Sequence, residues 1–158
     1  MTAADVALGL CVVLAGLWSG LLLTLTTILH PMFRALDGSG FAEEMRRFLP
    51  AARRSPTNWI IVIGLVLAPV AALVALRSGT PEFVLTTLGL AACVAGPLLV
   101  SRLLAEPNYD VMLAWDPGAM PADWRAVRSY YFRLNWIRAA ATWTAFALFA
   151  TAAYTSWA

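Results

Sequence analysis

Four long apolar runs, separated by polar intervals, set the pattern of this chain: about 5–29, 57–76, 82–105 and 135–157. Each has roughly the 20 residues that a helix needs to cross a hydrocarbon layer. The pattern predicts an all-α protein, a four-transmembrane-helix bundle forming a single domain over residues 1–158. The first run opens on Asp5, carries no basic residue at its start and lacks a small-residue cleavage pattern, so it is expected as a retained span rather than a signal peptide. Gly16 and Gly20 form a GxxxG pair on it, a pattern that lets helices approach closely. Pro31 disfavours helix at His30 and is expected to end the span there. Pro69 and Pro97 fall inside the second and third runs as expected kinks, and Pro107 is expected to stop the third helix.

The intervals differ in kind. Between the first two runs, Phe41, Met45, Phe48 and Leu49 share a face opposite Glu43, Glu44, Arg46 and Arg47. This predicts an interfacial amphipathic helix lying apolar side down on the membrane, capped by Ser39 and ended by Pro50. The interval Arg77-Ser78-Gly79-Thr80-Pro81 is a short turn, which makes spans 2 and 3 antiparallel neighbours. The last interval, Glu106 to Arg138, contains the turn Trp115-Asp116-Pro117-Gly118 and then a helix expected to start near Pro121. Continued without a break into the fourth run, that helix would exceed about 50 Å and extend beyond the membrane. Within it Trp124, Arg128, Tyr131, Asn135 and Arg138 are spaced 4, 3, 4, 3, which aligns them on one face, and Thr142 carries the face into the apolar run. Lipid cannot satisfy a polar stripe, so it must face protein, water or ligand.

Composition fits this picture. The 158 residues are 61% apolar and 13% charged, with a mean hydropathy of +0.73. All eleven basic residues are arginine, and the net charge of +2 offers no basic surface for nucleic acid. The arginines collect in the two long intervals and their borders, with Arg77 alone on the other side. By the positive-inside rule both long loops are cytoplasmic and both termini outside. Cys11 and Cys93 lie in separate apolar runs, which argues against a disulfide framework.

Topology gathers the candidate chemistry at one end of the bundle. His30 is the only histidine and a candidate general base; its alternative use is at the interface or in a cap. Arg138, about a turn into the fourth run, is costly without a partner, so it marks a site or pairs with Glu106. Arg102 stands four residues from Glu106 and is a second pairing candidate. Asn108 and Asn135 can bind a carbonyl or oxyanion, or bridge helices. Trp124, Tyr131 and Trp136 can stack on an aromatic ligand or form an interfacial belt. One histidine, loop carboxylates and two scattered cysteines make no metal-ligand set, and no nucleotide, flavin-fold, hydrolase or c-type haem motif is present.

These residues resemble the anthrone oxygenase-like family of small four-span membrane proteins. The resemblance covers most of the chain. It rests on the Gly-rich first span ending in His30-Pro31, on Pro107-Asn108, and on Pro121-Ala122-Asp123-Trp124 followed by Tyr131, Asn135 and Arg138. It implies an integral protein of the bacterial cell membrane that oxidises a hydrophobic polycyclic phenol, an anthrone, to a quinone. Dioxygen would be co-substrate, and no metal or other cofactor would be needed. On this chain the resemblance places His30 as base, with Arg138, Asn135 and Asn108 stabilising the enolate or peroxide. Trp124, Arg128 and Tyr131 would hold the ring system. Two other readings use the same residues: a cyclase or isomerase working by proton transfer, and a non-enzymatic protein that binds lipid or joins a complex. Partners expected are an aromatic small molecule and the bilayer, with a homo-oligomer left open.

Overall fold

Thr2 opens the first helix with a reciprocal cap. Its hydroxyl accepts from the Asp5 amide at 3.2 Å, and its own amide donates to the Asp5 carboxylate at 2.6 Å. The computed structural model describes residues 2–157. It contains helices α1 (Ala3–Ala35), α2 (Gly38–Arg54), α3 (Pro56–Ala75), α4 (Pro81–Leu113) and α5 (Trp124–Trp157). Three of them, α1, α3 and α4, are long and apolar enough to cross a membrane. They bear a surface that water would not favour: Leu10, Val13, Leu17, Ile60, Ile63, Leu67, Val74, Leu88 and Leu103 are all exposed. That inverted surface is the one expected of an integral membrane protein. In α5 four arginines occupy the first half, and Thr142, Thr144, Thr151 and Thr155 interrupt the second.

Pro31 and Pro107, expected to end helices, do not. Pro31 removes a backbone donor and crowds the carbonyl four residues earlier. The turn Leu25–Leu29 absorbs this by widening, so that the His30 amide donates to the Leu25 carbonyl five residues back, and the helix runs on to Ala35. Pro107 is treated in the same way. The stretch Val94–Ala105 is wide, the Glu106 amide donates to the Ser101 carbonyl, and α4 continues to Leu113. Thr24, Thr26 and Thr27 donate to the carbonyls of Gly20, Leu22 and Leu23 beside the first wide turn. The first wide turn also sets which residue points inward. From Cys11 the buried positions step through Ala15, Trp18 and Leu22. About five turns of an uninterrupted helix would then arrive at Leu29. The extra residue brings His30 inward instead, 1% exposed.

The long helices form a ring: α5 packs along α1 and α4, α1 packs on α3, and α3 packs on α4. Small residues seat the side chains of α5. A Cβ at Gly16 would meet Phe146 at 3.3 Å, one at Gly89 would run into the Phe149 ring, and one at Gly96 into the Ala141 methyl. Gly20 faces open space, so the GxxxG pair does not act as a unit. Gly79, at φ +84°, makes the turn between α3 and α4.

α2 departs from expectation. Its cap is Asp37, whose carboxylate accepts from the Gly40 amide at 2.8 Å, while Ser39 donates to Asp37. Pro50 lies inside the helix, which ends at Arg54. The apolar face (Phe41, Ala42, Met45 and Leu49) is buried by the protein itself. Phe41 packs against the rings of Phe33, Trp115, Tyr131 and Phe132. α2 therefore closes one end of the bundle rather than laying that face on lipid. Arg46 donates to the Trp115 carbonyl. Arg53 pairs with Glu106 at 2.6 Å and with Asp110 at 2.7 Å.

Candidate functional site

Beneath α2 three helices contribute to one buried polar chain. His30 comes from α1, Tyr109 from α4, and Asn135 and Arg138 from α5. Arg138 Nη1 donates to the Tyr109 hydroxyl and to Asn135 Oδ1, both at 3.0 Å. Asn135 Nδ2 lies 3.2 Å from His30 Nε2. His30 and Asn135 are each 1% exposed. Buried Thr142, one turn further along α5, donates to the Arg138 carbonyl at 2.8 Å.

Aromatic rings wall the chain in. The His30 ring centroid is 4.5 Å from Phe132 and 5.8 Å from Tyr131, and Tyr131 lies 5.9 Å from Tyr109. Low-dielectric surroundings of this kind strengthen any electrostatic contact made inside them and raise the cost of leaving a polar group unpaired. Yet several are unpaired. His30 Nδ1, Tyr131 OH and Arg138 Nε are buried with no hydrogen-bond partner among the described residues. All three can donate a proton to a hydrogen bond.

Arg138 also lacks an anion. The expected partner Glu106 is taken by Arg53, and neither Arg138 nor Arg102 joins an ion pair among the described residues. This half-buried guanidinium is held by a phenol and an amide, and the amide links it to His30.

The predicted stripe on α5 divides into two places. At 1.5 Å per residue, Trp124 and Arg138 are about 21 Å apart along the helix. Tyr131, Asn135 and Arg138 reach the buried chain. Trp124 and Arg128 lie where α1 ends: Arg128 donates to the Leu36 carbonyl at 2.9 Å and sits over the Trp124 ring at 4.6 Å. This ties the end of α1 to α5, as arginines near helix C-termini commonly do. Burial, then the charges of Arg125 and Arg34, hold Arg128 below its ordinary pKa. An open groove of about 590 Å³ adjoins this end, lined by Asp37, Gly38, Met120, Trp124, Arg125 and Arg128. A second, of about 450 Å³, is lined by Arg34, Arg128, Ser129, Phe132, Arg133 and Trp136. Phe132 therefore has this groove on one side and His30 on the other.

Asn108, expected at the end of the third span, is on α4 and 8% exposed, with Nδ2 unpartnered. Among the described residues no hydrogen bond joins its Nδ2 to His30 or Arg138. Its neighbour Tyr109, not singled out from sequence, makes the contact with Arg138 instead. The signal was present as a tyrosine within reach of an arginine that borders an apolar run, but a helix stopped at Pro107 hides the face on which Tyr109 lies. Cys11 and Cys93 are free and buried, and no group of three potential metal ligands occurs among the described residues.

The fold and the buried chain define a class: an α-helical bundle of membrane type with an arginine-centred polar cluster under an end-capping helix. No family model, no curated protein and no solved structure matches the chain.

Proposed function

We propose that the protein is an integral membrane oxygenase that converts a hydrophobic, anthrone-like polycyclic phenol to a quinone with dioxygen and no bound cofactor. In this reading α5 serves as the fourth span from about Asn135 onward, its first part projects into the cytoplasm, and the two long loops are cytoplasmic. The observation that carries the reading is the Arg138 guanidinium, half-buried, without an anion among the described residues and linked to His30 through Asn135. Such a group favours a ligand that becomes negative during reaction.

The chemistry follows from the substrate. The methylene carbon of an anthrone loses a proton to water and becomes an enolate whose charge spreads over the rings and the carbonyl oxygen. Donors that bind the enolate more tightly than the ketone make that carbon more acidic. The electron-rich enolate reduces dioxygen and forms a carbon–oxygen bond, and protonation gives a hydroperoxide. Loss of water from the hydroperoxide leaves the second carbonyl. In total the carbon loses two hydrogens and gains one oxygen, and the other oxygen leaves as water.

Oxygen uptake tests the proposal. Protein in lipid nanodiscs is mixed with a hydroxylated anthrone, and uptake is compared with the spontaneous rate in empty nanodiscs. Uptake above that background, matched one to one by quinone absorbance, supports the oxygenase. Substrate consumed without oxygen would favour the cyclase or isomerase, and no turnover would remove the enzymatic reading.

A further inference from the structure

We infer that Arg138, acting through Asn135, locks His30 as the neutral Nδ1–H tautomer, so that the histidine offers a hydrogen-bond donor and the site selects an oxygen acceptor. The inference rests on the proposed reading of this cluster as a ligand site, but its core is a statement about three side chains.

A guanidinium has donors only. With Arg138 Nη1 at 3.0 Å, the Asn135 atom facing it must be the oxygen. The amide nitrogen then faces His30 Nε2 at 3.2 Å, and that nitrogen donates. Nε2 must therefore accept. A neutral imidazole has one donor and one acceptor, so its proton sits on Nδ1. Turning the amide over would set its NH2 against the guanidinium, donor to donor. Protonating Nε2 would set N–H against N–H at the other end. The two contacts support a single arrangement.

Nδ1 is the nitrogen without a partner, buried beside Tyr131 and Phe132. Its N–H, the Arg138 Nε–H and the Tyr131 O–H are all unpartnered, and each can meet an acceptor. Each of these donors is complementary to a carbonyl or phenolate oxygen, and the rings of Tyr131 and Phe132 beside Nδ1 suit an apolar carrier. His30 then acts as a donor toward the developing oxyanion, not as the base that its residue type suggests, because the lone pair that a base needs is engaged by Asn135. Asn135 is a positioning residue.

The chain has one histidine, so ring nitrogen-15 labelling gives two signals with no ambiguity of residue. Protein in nanodiscs is examined by nitrogen-15 NMR, and each nitrogen is identified through its couplings to the two ring carbon-bound protons. The expected spectrum has a protonated Nδ1 and a bare Nε2. A protonated Nε2 in the wild type overturns the inference. In Asn135→Asp a carboxylate can accept from both neighbours, so the proton is expected to move to Nε2; an unchanged spectrum would overturn the role given to Asn135. Arg138→Gln provides a second variant should the first not fold. Its side chain can accept or donate, so the amide is no longer held and both tautomers are expected; retention of Nδ1–H alone would overturn the role given to Arg138.

Ligand class is read with two probes. Anthraquinone, which has only acceptors, is expected to shift the Nδ1 signal, and anthracene, which has none, is not. Equal shifts would overturn acceptor selection. Asn135→Asp should weaken anthraquinone binding by about tenfold, the loss of one good hydrogen bond. The outcomes separate from those of the oxygenase proposal. An Nδ1–H histidine with no oxygen uptake removes the oxygenase and leaves the lock, whereas uptake with an Nε2–H histidine removes the lock alone.

Discussion

Arg53 lies 2.6 Å from Glu106, and this pairing decides what Arg138 can be. Glu106 was the carboxylate expected to neutralise the arginine of the fourth run. With Arg53 of α2 holding it, Arg138 turns instead to Tyr109 and Asn135. The helix that covers the site thus also removes the anion that would have silenced it.

Replacing Arg138 should separate function from stability. Removing one preorganised charge-stabilising donor commonly costs about 10²–10³ in turnover, and Arg138→Met is expected to fall in that range for oxygen uptake. Its thermal midpoint in detergent should fall only modestly, by the equivalent of about 1–3 kcal/mol, because Asn135 Oδ1 and the Tyr109 hydroxyl lose their arginine partner while an uncompensated charge is removed. A large drop in the midpoint with unchanged uptake would identify Arg138 as structural.

Arg53→Ala should loosen α2. The ion pairs it makes are about one-third exposed on the Arg53 and Glu106 side chains and mostly exposed at Asp110, so solvent screening limits the loss to about 1 kcal/mol or less. Hydrogen exchange is the more sensitive readout: amides over 38–54 should exchange faster while those of α3 do not. Protection unchanged over α2 would mean that its buried apolar face alone holds it down.

Phe41→Ala should be among the most damaging single changes in α2. The ring is fully buried against Phe33, Trp115, Tyr131 and Phe132, and removing a buried phenylalanine costs about 3–5 kcal/mol. Phe48→Ala, at a half-buried position, should cost less. Denaturant unfolding of the two variants side by side checks the order, and similar losses would show that α2 does not dock through Phe41.

Two glycine variants should move in opposite directions. At Gly96 an added methyl meets Ala141, which has no flexible end to give way, so Gly96→Ala forces α4 and α5 apart and should cost about 1–3 kcal/mol. At Gly20 nothing lies within 4 Å, and Gly20→Ala should be neutral or stabilising by up to about 1 kcal/mol through helix propensity. A destabilised Gly20→Ala in bilayers would reveal a helix partner on that face. Melting curves of both variants in the same lipid decide this.

The apolar runs could be read directly because crossing length and hydropathy are local properties of a sequence. The inward stripe on α5 could be read because helical spacing fixes which residues share a face. Its division into two places could not, since that depends on where α1 ends and what Arg128 reaches there. Pro31 and Pro107 misled for a physical reason: the rule that a proline ends a helix assumes ordinary helix before it, and here both preceding segments are wide. The apolar face of α2 shows that something must cover Phe41 and Met45, but a sequence does not say whether lipid or protein does so. The Arg53–Glu106 pair joins residues 53 positions apart, beyond any local pattern.

The wide turn Leu25–Leu29 and the wide stretch Val94–Ala105 divide α1 and α4 into two lengths each. One extra residue in a turn rotates everything beyond it by about 100° relative to what came before. A one-residue deletion within Leu25–Leu29 would turn His30 off its inward face while leaving the capped stretch from Ala3 in place. The end that carries His30 can therefore be re-aimed separately from the stretch that precedes the wide turn. Small insertions and deletions at these two segments are a route by which such a bundle could acquire a different site without acquiring a different fold.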